Sequence, residues 1–291
     1  MKTLSAFVPA HPLIFCVDSD GCVFDTMEIK HKECFCPTYI DHFNLQAIAK
    51  YAREAWEYTN LYSVSRGMHR FITLRMSLEL LADRAEVKER GFQLPDFSAL
   101  TQWIQESPKL SNDLLAEEIR RRPDAAILRQ AYDWSLAVNE AVGRMVHGIP
   151  PFPYARACLE QLARFAEIVI VSATQEKALE REWAEHRLDS FVSVVCGQET
   201  GSKADIIAQL RAAHPQCPLI MIGDAPGDRQ AAHANGSRFY PILPGNEAAS
   251  WHWLHEHLSA MASGAYDVAA ESARIEEFNR CLPSTPPWLQ A

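Results

Sequence analysis

Four short stretches of this 291-residue chain carry side chains that could do chemistry together. Asp18-Ser19-Asp20-Gly21-Cys22-Val23-Phe24-Asp25-Thr26 sets two carboxylates on alternate residues, and Ser172-Ala173-Thr174 supplies hydroxyls. Ser202-Lys203 supplies a cation, and Gly223-Asp224-Ala225-Pro226-Gly227-Asp228 supplies two more carboxylates. An isolated aspartate after an apolar run is usually a turn or cap residue. Acid, hydroxyl, cation and acid following four such runs in order is harder to reach by chance. Carboxylates gathered at one place repel, and their pKa values rise unless something positive lies between them. A hard cation with oxygen ligands answers that need, and Mg²⁺ suits a site that also holds phosphate. The residues therefore predict Mg²⁺ and a phosphorylated small molecule.

The elements that must position these residues are legible as four apolar runs, 13–17, 168–171, 191–196 and 219–222, with a weaker fifth at 238–243. Helical segments are expected at 154–165, 174–186, 203–214 and 228–235. This alternation predicts an α/β fold with a Rossmann-like, doubly wound parallel sheet, in which ligands bind outside the carboxyl ends of the strands. Residues 28–150 interrupt the alternation with amphipathic stretches at 44–59, 68–81 and 124–145, the pattern of an inserted all-helical cap domain. The insertion is bounded by the Gly21 turn and by Gly148-Ile149-Pro150-Pro151-Phe152-Pro153, a stiff connector. The expected division is a core of 1–27 and 151–244, a cap of 28–150, and a C-terminal helical extension of 245–291. That extension has helices at 247–262 and 266–281 and a proline-rich tail. Residues 28–150 carry 16 basic and 17 acidic side chains and the rest carry 12 and 20, so the negative balance belongs to the sheet-bearing parts.

In order and position, Asp18-Ser19-Asp20-Gly21, Ser172, Lys203 and Gly223-Asp224 with Asp228 resemble the four motifs of the haloacid dehalogenase superfamily. The resemblance covers roughly residues 10–27 and 151–244, and an insertion directly after the first motif resembles that superfamily's helical C1 cap. It implies that Asp18 is a nucleophile forming an aspartyl-phosphate, and that Asp20 is general acid and then base. It implies that Ser172 and the backbone beside it at Ala173 bind the phosphoryl group, and that Lys203 offsets its charge. Mg²⁺ would be held by Asp18, Asp224, the backbone carbonyl of Asp20, and Asp228 directly or in support. Asp20 favours phosphomonoester hydrolysis over dehalogenation or phosphonate cleavage. A sugar-phosphate mutase shares every core residue, and a catalytically silent relative kept for binding is the reading from another class. Cys22, where Thr or Val is usual, carries no expected chemical consequence.

In the expected cap, 58–78 contains no acidic residue but holds Arg66, His69, Arg70 and Arg75. Lacking local acids to pair with, Arg66 and Arg70 are expected to contact an anionic or sugar-like part of the substrate. The cluster of Trp251, His252, Trp253, His255 and His257 is expected to pack, or to meet a second copy of the chain in a homodimer. Cysteines 16, 22, 34, 36, 158, 196, 217 and 281 show no CxxC spacing and read as reduced, mostly buried thiols of a cytoplasmic protein. With a net charge of −9, 48% hydrophobic and 22% charged residues, the chain has globular composition and no basic face for nucleic acid. No apolar run approaches the roughly 20 residues that span a bilayer, and the N-terminal segment lacks the pattern of a secretory signal, so no membrane partner is expected.

Overall fold

The computed structural model describes residues 4–289. Strand β1 (Ile14–Val17) leads through a tight turn to the short helix α1 (Thr26–Ile29). A π-helical segment, Lys30–Phe35, follows, and then α2 (Cys36–His42), α3 (Ala49–Asn60), α4 (Arg70–Asp83) and α5 (Ala85–Glu89). Next come α6 (Ser98–Glu106), α7 (Asn112–Arg121) and the long α8 (Ala126–Met145). From there strands and helices alternate: α9 (Ala155–Leu162), β2 (Glu167–Val171), α10 (Glu176–Glu185), β3 (Val194–Cys196), α11 (Lys203–Ala213), β4 (Leu219–Gly223), α12 (Pro226–Ala234) and β5 (Arg238–Pro241). Helices α13 (Glu247–Glu256), α14 (Leu258–Ala262) and α15 (Val268–Cys281) close the chain. Contacts divide the protein into two compact units, one of residues through Met27 with His147–Pro283, the other of Glu28–Val146 with the residues from Ser284 onward.

The first unit is built on a five-stranded, all-parallel sheet in the order β3-β2-β1-β4-β5. All strands but β5 are buried along their whole length, which is why they read as continuous apolar runs rather than alternating ones. The pleat sends Phe15, Val17, Ile168, Ile170, Ile220 and Ile222 into one apolar layer, and Ile14, Cys16, Val169, Val171, Val194 and Met221 into the opposite one. Strand β3 is shorter than the apolar run at 191–196 suggested. Asp189–Phe191 form a 3₁₀ turn, and Ser193 gives its hydroxyl to the carboxylate of Glu167 at the strand's start. All eight cysteines are free, and seven are buried.

The expected separate extension at 245–291 is not a unit. Residues through Pro283 complete the sheet-bearing unit, because β5 and α9 leave apolar surface that α13–α15 cover. Trp251 is fully buried and donates its indole N–H to the Cys22 carbonyl at 2.8 Å. The Phe278 ring meets Phe239 edge-on at 5.6 Å. Buried Glu271 accepts from the Phe239 N–H at 2.8 Å and from Arg238 at 3.1 Å, with His233 Nε2 2.8 Å away. The expected helix at 247–262 breaks at His257, whose ring stacks on Trp253 at 3.9 Å.

The second unit is all-helical among its described residues and has an aromatic core. Trp56 and Trp134 are fully buried and meet edge-on at 5.7 Å, with Phe35, Tyr39, Phe71 and Trp103 around them. Helices α2, α6 and α7 were not marked in the sequence: they are as short as α9, α10 and α12, but no apolar strands flank them to mark their place. The end of the chain also belongs here. The Trp288 ring lies 4.4 Å from the Arg84 guanidinium carbon and 5.7 Å from the Tyr58 ring. Arg84 is itself buried, has Tyr51 at 4.6 Å as a second ring partner, and pairs with Glu54 and Glu86. No helix among the described residues is long and apolar enough to cross a membrane.

If the tail is a packing element, Trp288→Ala lowers the unfolding free energy of the helical unit by about 1–2 kcal/mol, the size of a sheltered cation–π contact. Denaturant titration read by tryptophan fluorescence measures it, and an unchanged midpoint would show that the tail contributes nothing.

Candidate active site

In this strand order the chain runs outward from β1 through β2 to β3, then returns to the other side of β1 to lay down β4. The carboxyl ends of β1 and β4 therefore flank the switch point, where open α/β sheets bind ligands. Asp18 directly follows β1 and Asp224 directly follows β4. The Asp18 backbone N–H still donates to Ile222 at 3.0 Å, so the sheet ladder itself fixes where the side chain begins. Asp18 and Asp224 are 5% and 1% exposed, and Asp228 is fully buried.

Local chain chemistry brings the other two charged groups to the same point. Asp228 lies in the first turn of α12, entered through Pro226, and its Oδ2 accepts the Ala225 N–H at 3.0 Å. Gly223 makes room for that carboxylate, since a Cβ there would sit 2.5 Å from Asp228 Cγ and 2.6 Å from its Cβ. Lys203 is the first residue of α11, whose start is set by a capping box between Ser202 and Asp205. From there Nζ reaches Asp18 Oδ2 and Asp228 Oδ1, each at 2.6 Å. Asp18, Asp224 and Asp228 can each place an oxygen within 4.8 Å of the others, the only such group among the described residues that could hold a metal ion.

One ammonium against three buried carboxylates leaves an uncompensated negative charge. Burial raises the Asp18 pKa; Lys203 opposes this, and the neighbouring Asp228 and Asp224 add to the rise, so the protein groups alone lift it to about 8. Burial pulls the Lys203 ammonium down, but Asp18 and Asp228 outweigh it and the net shift is upward. An oxygen-only, anionic and crowded donor set fits a hard divalent cation such as Mg²⁺, which would neutralise the excess and keep Asp18 ionised.

The structure separates Asp20 from this cluster. Its backbone carbonyl was the expected metal ligand and its carboxylate the expected acid and base; Thr26 donates to Oδ1 of that carboxylate, and Thr174 donates to Oδ2 at 2.8 Å. Neither threonine was assigned this role from sequence; the signal was present as hydroxyls in the first and second motifs, but only folding makes them neighbours. Ser19 was missed as well. Its hydroxyl accepts from the Trp183 indole at 3.0 Å and donates to Glu182 at 3.1 Å, while its carbonyl accepts from Val23 at 2.9 Å, which pins the turn between Asp18 and Asp20 to α10.

Ser172 is buried at the end of β2, and its Oγ accepts the Thr174 N–H at 3.3 Å, leaving the hydroxyl hydrogen available to another acceptor. Ala173 beside it is exposed. Arg66 and Arg70 lie in the helical unit, where each has acceptors within that unit. Arg66 is 3% exposed and donates to the Leu61 carbonyl at 3.0 Å. Arg70 donates to the Ser135 hydroxyl at 3.1 Å and to Asn139 at 2.7 Å, and it lies 5.2 Å over the Phe35 ring. Neutral oxygens are thus among the acceptors of both guanidinium groups.

No family model matches the sequence, and no curated protein matches it. Among solved structures, a haloacid dehalogenase-like family hydrolase from Streptococcus pneumoniae is similar at 16% identity over 82% of this chain and 90% of its own, with a TM-score of 0.39. A HAD-superfamily hydrolase of subfamily IA from Geobacter sulfurreducens gives 14% identity over 80% and 88%, with a TM-score of 0.40. A protein described as a haloacid dehalogenase-like hydrolase from Bacteroides fragilis gives 12% identity over 81% and 92%, with a TM-score of 0.48. The reading of the site rests on its own residues. The parallel sheet, the inserted helical unit and the edge where the four motifs gather are those that the resemblance in the sequence implies.

Mg²⁺ is expected to raise the melting temperature, by about 2.7 kcal/mol in stability at a hundred times its Kd, and Asp224→Ala is expected to remove the shift. Thermal unfolding with and without the ion decides this, and equal shifts in both proteins would dismiss the cluster as a metal site. Gly223→Ala is expected to displace the Asp228 carboxylate and weaken Mg²⁺ binding by about tenfold or more while the secondary structure stays intact. Isothermal titration measures the affinity, and wild-type binding would show that the glycine is not needed.

Proposed function

We propose that this chain is a Mg²⁺-dependent phosphomonoester hydrolase of the haloacid dehalogenase superfamily, acting on a small phosphorylated metabolite through an aspartyl-phosphate. The observation that carries this reading is the junction of Asp18, Asp224, Asp228 and Lys203 in one buried cluster at the sheet's switch point, with Asp20 two residues from Asp18 and its carboxylate accepting from Thr174.

Asp18 Oδ attacks phosphorus, and the bond from phosphorus to the ester oxygen breaks as the new bond to Asp18 forms. Asp20 gives a proton to the departing oxygen, which leaves as an alcohol. Asp20, now a carboxylate, takes a proton from water as that water attacks phosphorus; the Asp18 carboxylate leaves and inorganic phosphate is formed. Ser172 donates its hydroxyl hydrogen to the phosphoryl oxygens, and Lys203 balances charge on Asp18 and on the transferring group. Asp18, Asp224 and the Asp20 backbone carbonyl would hold Mg²⁺, with Asp228 anchoring Lys203 and closing the donor set. When bound, the ion supplies charge neutralisation for the phosphoryl group. Phosphoryl transfer is mostly positioning and electrostatics, so this set of residues is sufficient.

A phosphate-release screen over phosphorylated metabolites, with Mg²⁺ present, is expected to find turnover that chelator abolishes and added Mg²⁺ restores. Asp18→Asn is expected to reduce kcat by at least about a thousandfold while keeping the melting temperature near that of the wild type. Rapid acid quench should trap one phosphoryl group per chain in the wild type and none in the variant. Isomerisation of a sugar phosphate without phosphate release would instead support the mutase chemistry, and no turnover on any ester would support a binding protein.

A further inference from the structure

We infer that Thr174 is a positioning residue that sets the orientation of Asp20 for proton transfer. The inference rests on the phosphatase reading and names a residue that reading does not need. A carboxylate attached through a single sp³–sp² torsion rotates over a broad range, so one hydrogen bond leaves its plane undetermined. Two threonine hydroxyls reach Asp20, one on each oxygen and from different parts of the chain: Thr26 lies six residues on at the start of α1, whereas Thr174 comes from the loop after β2. Only the second ties Asp20 to the strand that carries Ser172.

Thr174 is a joint between two functional groups. Its hydroxyl donates to Asp20 Oδ2 at 2.8 Å, and its backbone N–H donates to Ser172 Oγ at 3.3 Å. In the proposed reaction Ser172 serves the phosphoryl oxygens and Asp20 serves the ester oxygen, so the two ends of the breaking bond are referred to one residue. The loop does not depend on the hydroxyl to hold its shape. The Thr174 carbonyl accepts the Gln198 N–H at 3.0 Å, and Gly197 approaches so closely that a Cβ there would lie 2.5 Å from that carbonyl oxygen. Both are backbone contacts, and they survive a change of the Thr174 side chain. Thr174→Val therefore deletes the hydroxyl with the loop in place.

The test compares two esters of nearly the same shape, p-nitrophenyl phosphate and phenyl phosphate, at saturating Mg²⁺. Phenol ionises near pH 10, as a tyrosine ring does, and its oxide needs a proton to leave; p-nitrophenol is far more acidic and does not. Thr174→Val is expected to lower kcat/KM for phenyl phosphate about ten times more than for p-nitrophenyl phosphate. Thr174→Ala should give the same ratio, which guards against a misfitting valine, and Thr174→Ser should restore the wild-type ratio. Equal losses on both esters, no loss on either, or failure of serine to restore the ratio would each overturn the inference while leaving the phosphatase reading standing. A wild-type protein with no Mg²⁺-dependent turnover of either ester would overturn both.

Discussion

A single ammonium group, that of Lys203, stands between Asp18 and Asp228 with Asp224 completing a buried anionic cluster. Charges held out of water are stable only when paired, so every element that delivers one of these four side chains is constrained by the other three. The capping box at Ser202 fixes the first turn of α11 and so the reach of Lys203. Pro226 and the missing side chain at Gly223 fix the first turn of α12 and so Asp228. The ladder between β1 and β4 fixes Asp18 and Asp224. The remaining excess of negative charge is what a divalent cation would neutralise there.

The same electrostatics explains why two aspartates separated by one residue have different surroundings. Asp18 meets carboxylates and an ammonium, and Asp20 accepts from two threonine hydroxyls. In the proposed reaction the nucleophile gains from staying ionised beside positive charge, and the acid–base group gains from donors that hold its orientation. The tight turn from Ser19 to Phe24, held against α10 by Trp183, keeps the two environments apart over this short distance.

Outside the site, neutral groups are among the partners of charges that have no acid near them in the sequence. Arg66 and Arg70 were singled out because no acid lies within 58–78, yet backbone, hydroxyl and amide oxygens accept their protons. Arg84 is held partly by aromatic faces, one of which, Trp288, arrives from more than 200 positions away. Helices α13–α15 follow the same logic on the apolar side: their sequence marks them as amphipathic, and what they cover is set by the open surfaces of β5 and α9.

The doubly wound sheet, the helical insertion and the order of acid, hydroxyl, lysine and acid were all legible in the chain, because fully buried strands and their terminal residues are local patterns. The sequence also determined Lys203 as a helix start and Asp228 as a first-turn acid, since capping chemistry acts over three or four residues. Which strand ends become neighbours was decided by strand order, as was the approach of Thr174 to Asp20, while the packing of the helical unit brought Ser135 and Asn139 to Arg70. Those are contacts between residues tens to hundreds of positions apart, made by loop closure and packing, and no local pattern of residue types encodes them.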